Sequence, residues 1–209
     1  MPTDWTITPG QVCEFKPWKK KVQPGGFYVG DRLYCQDLLY LKKLQKDGVD
    51  FVVRLRANFI RTPQGPAQPL TAAEVQAGVV CDGLEELGAG GGGPVLRVVQ
   101  IQAAGHQFLL ATTRRDLPAH LIGLIYRYRW QIEVFFKWIK TMLPCRHGLA
   151  ESAAGVSIQI YTVFSAALLL LLATGRRPNK GQMEALWFFQ SGFISEQEFR
   201  ATLSAQKIK

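Results

Sequence analysis

The 209 residues are 47% hydrophobic and 20% charged, which excludes a disordered tail and gives enough chain to bury a sizeable core, as one domain with an insertion or as two small ones. Lys and Arg outnumber Asp and Glu by 25 to 16, for a net charge of +9 and a pI near 9.6; this balance favours a polyanionic partner such as nucleic acid, although anionic membranes attract the same charge. Cys13, Cys35, Cys81 and Cys145 form no CxxC pair, and His106, His120 and His147 form no HExxH cluster, so neither a zinc site nor a disulfide framework is indicated and reduced thiols in a cytoplasm are the simplest reading.

Met1 to Gly10 is polar, carries Pro2 and Pro9, and lacks a signal-peptide pattern. Lys16, Lys19, Lys20 and Lys21 alternate with Phe15 and Trp18, a basic-aromatic patch suited either to a phosphate backbone or to a solvated loop. After the turn Pro24-Gly25-Gly26, residues 26–30 predict a short buried strand that ends in Asp31-Arg32. A carboxylate there can point into an active-site crevice; it can equally start a turn and cap the helix predicted over 35–46 by Leu38, Leu39, Leu41 and Leu44. Gly48 ends that helix, and residues 50–57 predict a second strand, so the order is the strand, helix, strand of an α/β sheet.

Residues 60–94 change character. Pro63, Pro66 and Pro69 precede a capping box at Thr71 and Glu74, and Gly88 and Gly90 to Gly93 close the stretch. The glycines match neither GxxxxGK[ST] nor GxGxxG after a strand, so they predict a flexible connector, and the whole stretch an insertion projecting from the sheet. Residues 95–101 and 107–112 predict a hairpin. Asp116 and Pro118 then open a long helix.

On that helix Tyr126, Arg129, Glu133 and Lys140 stand at offsets of 0, 3, 7 and 14 residues, an arc of about 60° at 100° per residue, so one helix presents all four as a polar edge. Leu121, Leu124, Ile125, Tyr128, Ile132, Phe135, Phe136, Ile139, Met142 and Leu143 form the adjoining apolar stripe predicted to face the core. Residues 156–174 predict a buried core helix, since the uninterrupted apolar part, Ala166 to Ala173, falls short of the roughly 20 residues a membrane span needs. Two short helices follow, over 182–189 and 195–203.

Tyr-x2-Arg-x3-Glu-x6-Lys, present as Tyr126, Arg129, Glu133 and Lys140, resembles the YREK motif of bacterial insertion-sequence transposases with an Asp-Asp-Glu active site. Gly30-Asp31-Arg32-x-Tyr34 is similar to that family's second aspartate segment, and the resemblance covers roughly Thr6 to Ala173. It implies an α/β, ribonuclease-H-like catalytic core over 1–175, with a helical tail over 176–209. It further implies Asp31 and Glu133 as catalytic metal ligands for Mg²⁺ or Mn²⁺ and Tyr126, Arg129 and Lys140 as the phosphate grip. DNA, as insertion-sequence ends and target, is the implied substrate, with a second transposase copy or an N-terminal piece as protein partner and no membrane.

Relatives carry their first aspartate on a strand for which this sequence has no room; Asp4 sits in a setting unlike that strand. The expectation is therefore a C-terminal transposase piece, a degraded copy or half of a split frame, inactive alone because two carboxylates cannot enclose two divalent ions as three can. The competing readings are a non-catalytic basic DNA-binding or inhibitory remnant, a membrane-associated protein using residues 156–174, and a nuclease of the same fold.

Overall fold

The structure, a computed structural model, describes residue 8 and residues 11–142 and 152–204. Asp4, Leu143, Cys145 and His147 lie outside the described residues, as does the side chain of Met142. The chain divides into two compact units, one up to Gln131 and one from Ile132 onward.

In the first unit, helix α1 (Phe15–Lys21) precedes strand β1 (Phe27–Gly30), helix α2 (Leu38–Lys46) and strand β2 (Asp50–Leu55). Next come β3 (Arg61–Pro63), α3 (Ala72–Gln76), β4 (Val79–Leu87), β5 (Val95–Ala103), β6 (His106–Thr112) and α4 (Ala119–Tyr128). The six strands form one mixed sheet in the order β1-β2-β6-β5-β4-β3. The strand-helix-strand unit is realised as a parallel β1–β2 pair, with Phe27 opposite Asp50 and Gly30 opposite Val53. All other neighbours are antiparallel. The predicted hairpin is β5–β6, turning at Ala104 and Gly105, both with positive φ (48° and 75°), as a two-residue hairpin loop with the strands' own twist requires.

Alternation along β2 sends Phe51, Val53 and Leu55 to one face, where Leu41 and Leu44 of α2 and Leu96, Val98 and Leu109 join them. Val52 goes to the other face with Val99, Ile101 and Leu110, covered by Ala119, Ile122 and Tyr126 of α4. A Cβ on Gly123 would stand 2.4 Å from the end of the Ile101 side chain, so the bare position lets α4 approach the sheet without displacing it.

Residues 60–94 do not project from the sheet. They supply β3 and β4, and β4 pairs with β5 from Val79 opposite Ile101 to Glu86 opposite Val95. Two acidic residues of β4, Asp82 and Glu85, are buried on opposite faces of the sheet, held by Arg97 and Arg61 respectively. The glycine run is the β4–β5 connection, anchored where the Gly93 N–H donates to Glu86 Oε1 at 3.0 Å.

The capping box is present: Thr71 Oγ1 accepts the Glu74 N–H and the Thr71 N–H donates to Glu74 Oε2. Glu74 Oε1 also accepts the Ala119 N–H at 2.9 Å, so a carboxylate 45 residues upstream caps α4, where Pro118 at the N-cap has no side chain to do so. Asp116 is engaged instead by Arg114, through bonds of 2.7 and 2.6 Å. Glu74→Ala is expected to lower the unfolding free energy by about 1–3 kcal/mol, two caps lost together, measured by urea titration.

The second unit contains α5 (Trp130–Met142, begun two residues earlier), α6 (Ala153–Thr174), α7 (Lys180–Gln190) and α8 (Glu196–Ser204). Phe135 of α5 stacks on Phe164 of α6 with ring centroids 5.6 Å apart, and the Trp138 indole donates to the Pro178 carbonyl at 2.6 Å. The two short C-terminal helices match their sequence signals, including the Ser195–Glu198 capping pair.

Residues 156–174 do form a helix, within α6, but not a buried core helix. Its most apolar 18-residue window has mean hydropathy 2.1 and is 11% buried, with Ala167 and Leu170 the helix's buried residues and Leu169 and Leu172 exposed. The helix is long and apolar enough to cross a membrane. One such helix does not by itself make a membrane protein. It is apolar on all sides, so its sequence selects no one face for burial.

Candidate functional site

Asp31 stands one residue beyond the C-terminal end of β1, where its parallel partner β2 lies alongside. A Cβ on Gly30 would stand 2.8 Å from the Tyr34 ring, so glycine lets the chain fold back on itself directly after the strand. In the turn Asp31 Oδ1 accepts the Leu33 N–H at 2.8 Å and the Asp31 carbonyl accepts the Tyr34 N–H at 3.2 Å. Of the two roles read from sequence, turn and helix cap, only the turn is filled by Asp31. Asp37 caps α2, its Oδ1 accepting the Tyr40 N–H at 2.9 Å. The signal for this was an Asp immediately before the helical run.

Burial pushes the Tyr34 phenol up, the Glu14 and Asp31 carboxylates add to this, and the Arg129 charge opposes it. The Arg129 charge thus reaches the corner in which Asp31 sits.

The predicted single helix carrying Tyr126, Arg129, Glu133 and Lys140 is two helices. α4 ends at Tyr128, and Arg129, still in helical backbone at φ −54° and ψ −31°, bonds by its N–H to the Tyr126 carbonyl at 3.1 Å. That tightened turn replaces the regular bond four residues back. The 60° arc is therefore not the face of one continuous helix.

Tyr126 is 8% exposed and belongs to the core beneath α4, not to a solvated edge. The Arg129 guanidinium lies over its ring, 5.6 Å from the centroid. Its hydroxyl is buried with no hydrogen-bond partner among the described residues. Arg129 and Glu133 are half-buried and Lys140 is exposed. The apolar stripe is corrected likewise. Phe135 and Ile139 are buried, whereas Leu124, Tyr128, Ile132 and Phe136 are exposed and α4 buries Ala119, Ile122 and Tyr126. An almost continuously apolar run leaves its buried face to be chosen by close approach, and the small residues Ala119 and Gly123 choose it.

Asp31, Tyr126 and Arg129 belong to the first unit, and Glu133 and Lys140 to the second. Among the described residues no group of three His, Cys, Asp or Glu stands together to hold a metal ion. In kind, the Asp31 and Glu133 carboxylates suit a hard divalent cation. In number, two fall short of a two-ion site.

Residues 2–169 match the family described as the transposase DDE domain. The chain belongs to the DDE transposase family. It is similar to a transposase-named protein of Sinorhizobium fredii, 36% identical over 95 residues, covering 46% of this chain and 26% of that protein. It is also similar to a protein of Synechocystis sp. named as a transposase for an insertion sequence element, 27% identical over 175 residues, covering 79% of this chain and 47% of the relative. The matched regions thus span less than half the length of either relative.

In this transposase domain the basic-aromatic patch is the helix α1, not a loop. Its aromatic residues turn inward: the Trp18 ring lies 4.8 Å from Tyr34 and 5.5 Å from Tyr40, and Phe15 lies 5.8 Å from Tyr40. They are spent on packing and are not a platform for bases. Lys19 is spent as well, 2.6 Å from Asp37 and 4.5 Å from the Phe15 and Tyr40 centroids.

These pairings set the acid limit of the fold. The Arg114 guanidinium holds the Asp116 carboxyl down at about 2, and the Lys19 ammonium followed by the Tyr40 N–H lowers Asp37. The Thr71 and Ala119 N–H groups lower Glu74. Each folded-state value lies below its unfolded value of about 4, so the contributions are present above pH ~4 and lost below it, that of Asp116 as pH falls towards about 2. The melting temperature is expected to be level from pH 7 to 5 and to drop between pH 4 and 2; a level curve down to pH 2 would refute this.

Proposed function

We propose that residues 1–175 are part of a ribonuclease-H-like transposase catalytic domain that works on DNA in the cytoplasm. In this reading Asp31 and Glu133 are two of its metal-binding carboxylates, and Tyr126, Arg129, Glu133 and Lys140 are its YREK motif. The observation that carries the reading is the family match over residues 2–169, joined to a carboxylate placed at the end of a parallel strand. DDE transposases use divalent metal ions. Bound Mg²⁺ would lower the barrier for attack at a phosphodiester by stabilising the developing charge. Asp31 and Glu133 would hold it, and Arg129 and Lys140 would take phosphate oxygens, the first bidentately and the second as a point charge. Tyr126, being buried, supports Arg129 by offering its ring to the guanidinium.

Two carboxylates do not complete such a site, so no cleavage step is assigned to these 209 residues acting alone. The chain by itself binds DNA and neither cuts nor joins it. Incubating the purified chain with DNA carrying the element's ends and Mg²⁺ or Mn²⁺ is expected to give a mobility shift without nicking. Nicking that disappears in Glu133→Gln would overturn the inactivity and keep the site; absence of any shift at low salt would overturn the DNA reading.

A further inference from the structure

Asp31 and Arg56 leave the sheet at the same end. β1 and β2 run parallel with Gly30 opposite Val53, so Asp31 follows the first strand where Arg56 follows the second. There a cavity of about 470 Å³ opens in the first unit. Cys35 and Gln36, just past the Asp31 turn, form one wall, Arg56, Asn58 and Phe59 after β2 form another, and Gly88 stands at the far side. Among the described residues no carboxylate lines it. Backbone bonds hold the walls: the Phe59 N–H donates to the Arg56 carbonyl at 3.1 Å, and the Gly88 N–H to the Ile60 carbonyl at 2.9 Å.

The cavity shares its surroundings with Asp31. Burial pushes the Cys35 thiol up, and of the charges that act on it Arg56 and Arg32 oppose that push while Asp31 adds to it. All three charged groups therefore stand around one wall residue. Arg61, Arg97 and Arg114 of the same unit are each held by a carboxylate. Among the described residues the side chains of Arg56, Gln36 and Asn58 enter no hydrogen bond or ion pair with the rest of the chain. Water satisfies such groups on any exposed surface, but here a cation and two amides from separate loops converge on one concavity. One guanidinium matches the single charge of a phosphodiester and can take two of its oxygens, and Asn and Gln amides are further donors to phosphate.

We propose that this cavity receives a backbone phosphate of the DNA strand that passes Asp31, held by Arg56 with Gln36 and Asn58, a contact separate from Arg129 and Lys140. The assignment rests on the DNA-binding reading above. Duplex binding by the full chain is measured against salt concentration, by fluorescence anisotropy, for the unmodified protein, Arg56→Gln, Arg56→Lys and Gln36→Ala/Asn58→Ala. Arg56→Gln is expected to make the plot of log affinity against log salt shallower by about 0.9 and to weaken binding roughly tenfold near 0.1 M salt. Arg56→Lys is expected to keep the slope and lose part of the affinity, since the bidentate contact is gone. The amides carry no charge and release no counterion, so Gln36→Ala/Asn58→Ala is expected to weaken binding roughly tenfold at an unchanged slope.

Equal slope and affinity in Arg56→Gln, with an unchanged melting temperature, would overturn the proposal while leaving the DNA reading intact. Full affinity in Gln36→Ala/Asn58→Ala would remove the cavity as the place of contact. An equal loss of slope in Lys46→Gln, an exposed cation of α2 outside the lining, would overturn the proposal too, since general charge would then account for the effect. If dAMP bound the unmodified chain and not Arg56→Gln, while both bound duplex alike, the cavity would be a free-nucleotide site and the proposal would fail. No duplex binding by the unmodified chain at low salt would overturn both readings together.

Discussion

Arg97→Leu is expected to destabilise the first unit by about 3–5 kcal/mol, the cost of leaving a buried carboxylate without its partner. Arg97 reaches across from β5 to β4, where its Nε and Nη2 donate to the two oxygens of Asp82 at 2.8 and 2.6 Å, with side chains 10% and 5% exposed. Nη1 donates to the Arg114 and Leu117 carbonyls. The guanidinium thus also fixes the segment that leads from β6 into α4. Losing it strands one buried charge and leaves two part-buried carbonyl groups without their donor, so the destabilisation is more than a lost surface pair could give.

The double variant Asp82→Leu/Arg97→Leu separates the two contributions. Removing both charges relieves the stranded carboxylate and leaves only the carbonyls, so about 1–2 kcal/mol is expected to remain. Chemical denaturation of the three proteins measures this directly. If Arg97→Leu costs no more than the double variant, the pair behaves as a surface pair and the burial argument fails.

The same pair explains why β4 was hidden in the sequence. A half-buried strand is recognised by apolar residues on alternate positions. In β4 the buried positions Asp82, Gly83 and Glu85 are acidic or bare and fall on both faces of the sheet, while Val80 is 53% exposed, so no apolar alternation marks the strand. The compensating cations, Arg97 and Arg61, come from other strands and cannot be found by periodicity within one. Where burial was apolar the sequence was legible. β2, β5 and β6 stand where pattern placed them, and of the α2 stripe Leu41 and Leu44 are buried whereas Leu39 is exposed.

The residues proposed for the site are named by type and spacing, and the geometry around them differs from what that spacing predicts. Asp31 follows its strand as predicted, because Gly30 and the short apolar run before it are local signals. The continuity of the helix from Asp116 onward depended on Arg129, a good helix former whose break comes from a tightened last turn of α4. Tyr126 was placed on a polar edge because it carries a hydroxyl. Its ring area decided otherwise, and the hydroxyl went into the core with it.

Raising salt fourfold, from about 50 to about 200 mM, is expected to weaken duplex binding by roughly 100-fold, the result for about four phosphate contacts at a slope of 0.9 each. Cations already engaged inside the chain contribute less to that slope than exposed ones without a carboxylate beside them. Lys19, Lys43, Arg61, Arg97, Arg114, Lys180 and Arg200 each stand against a carboxylate of the protein. A phosphate must compete with that carboxylate, so these side chains release fewer counterions on binding than the rest. Lys140 is exposed on α5. Lys140→Gln is accordingly expected to reduce the slope by about 0.9 and to weaken binding to all duplexes alike, since a phosphate contact carries no base information. Lys43→Gln, which leaves Asp47 without its partner, tests the distinction. If it changes the slope as much as Lys140→Gln does, the salt dependence reports net charge alone and the phosphate grip assigned to Lys140 is refuted.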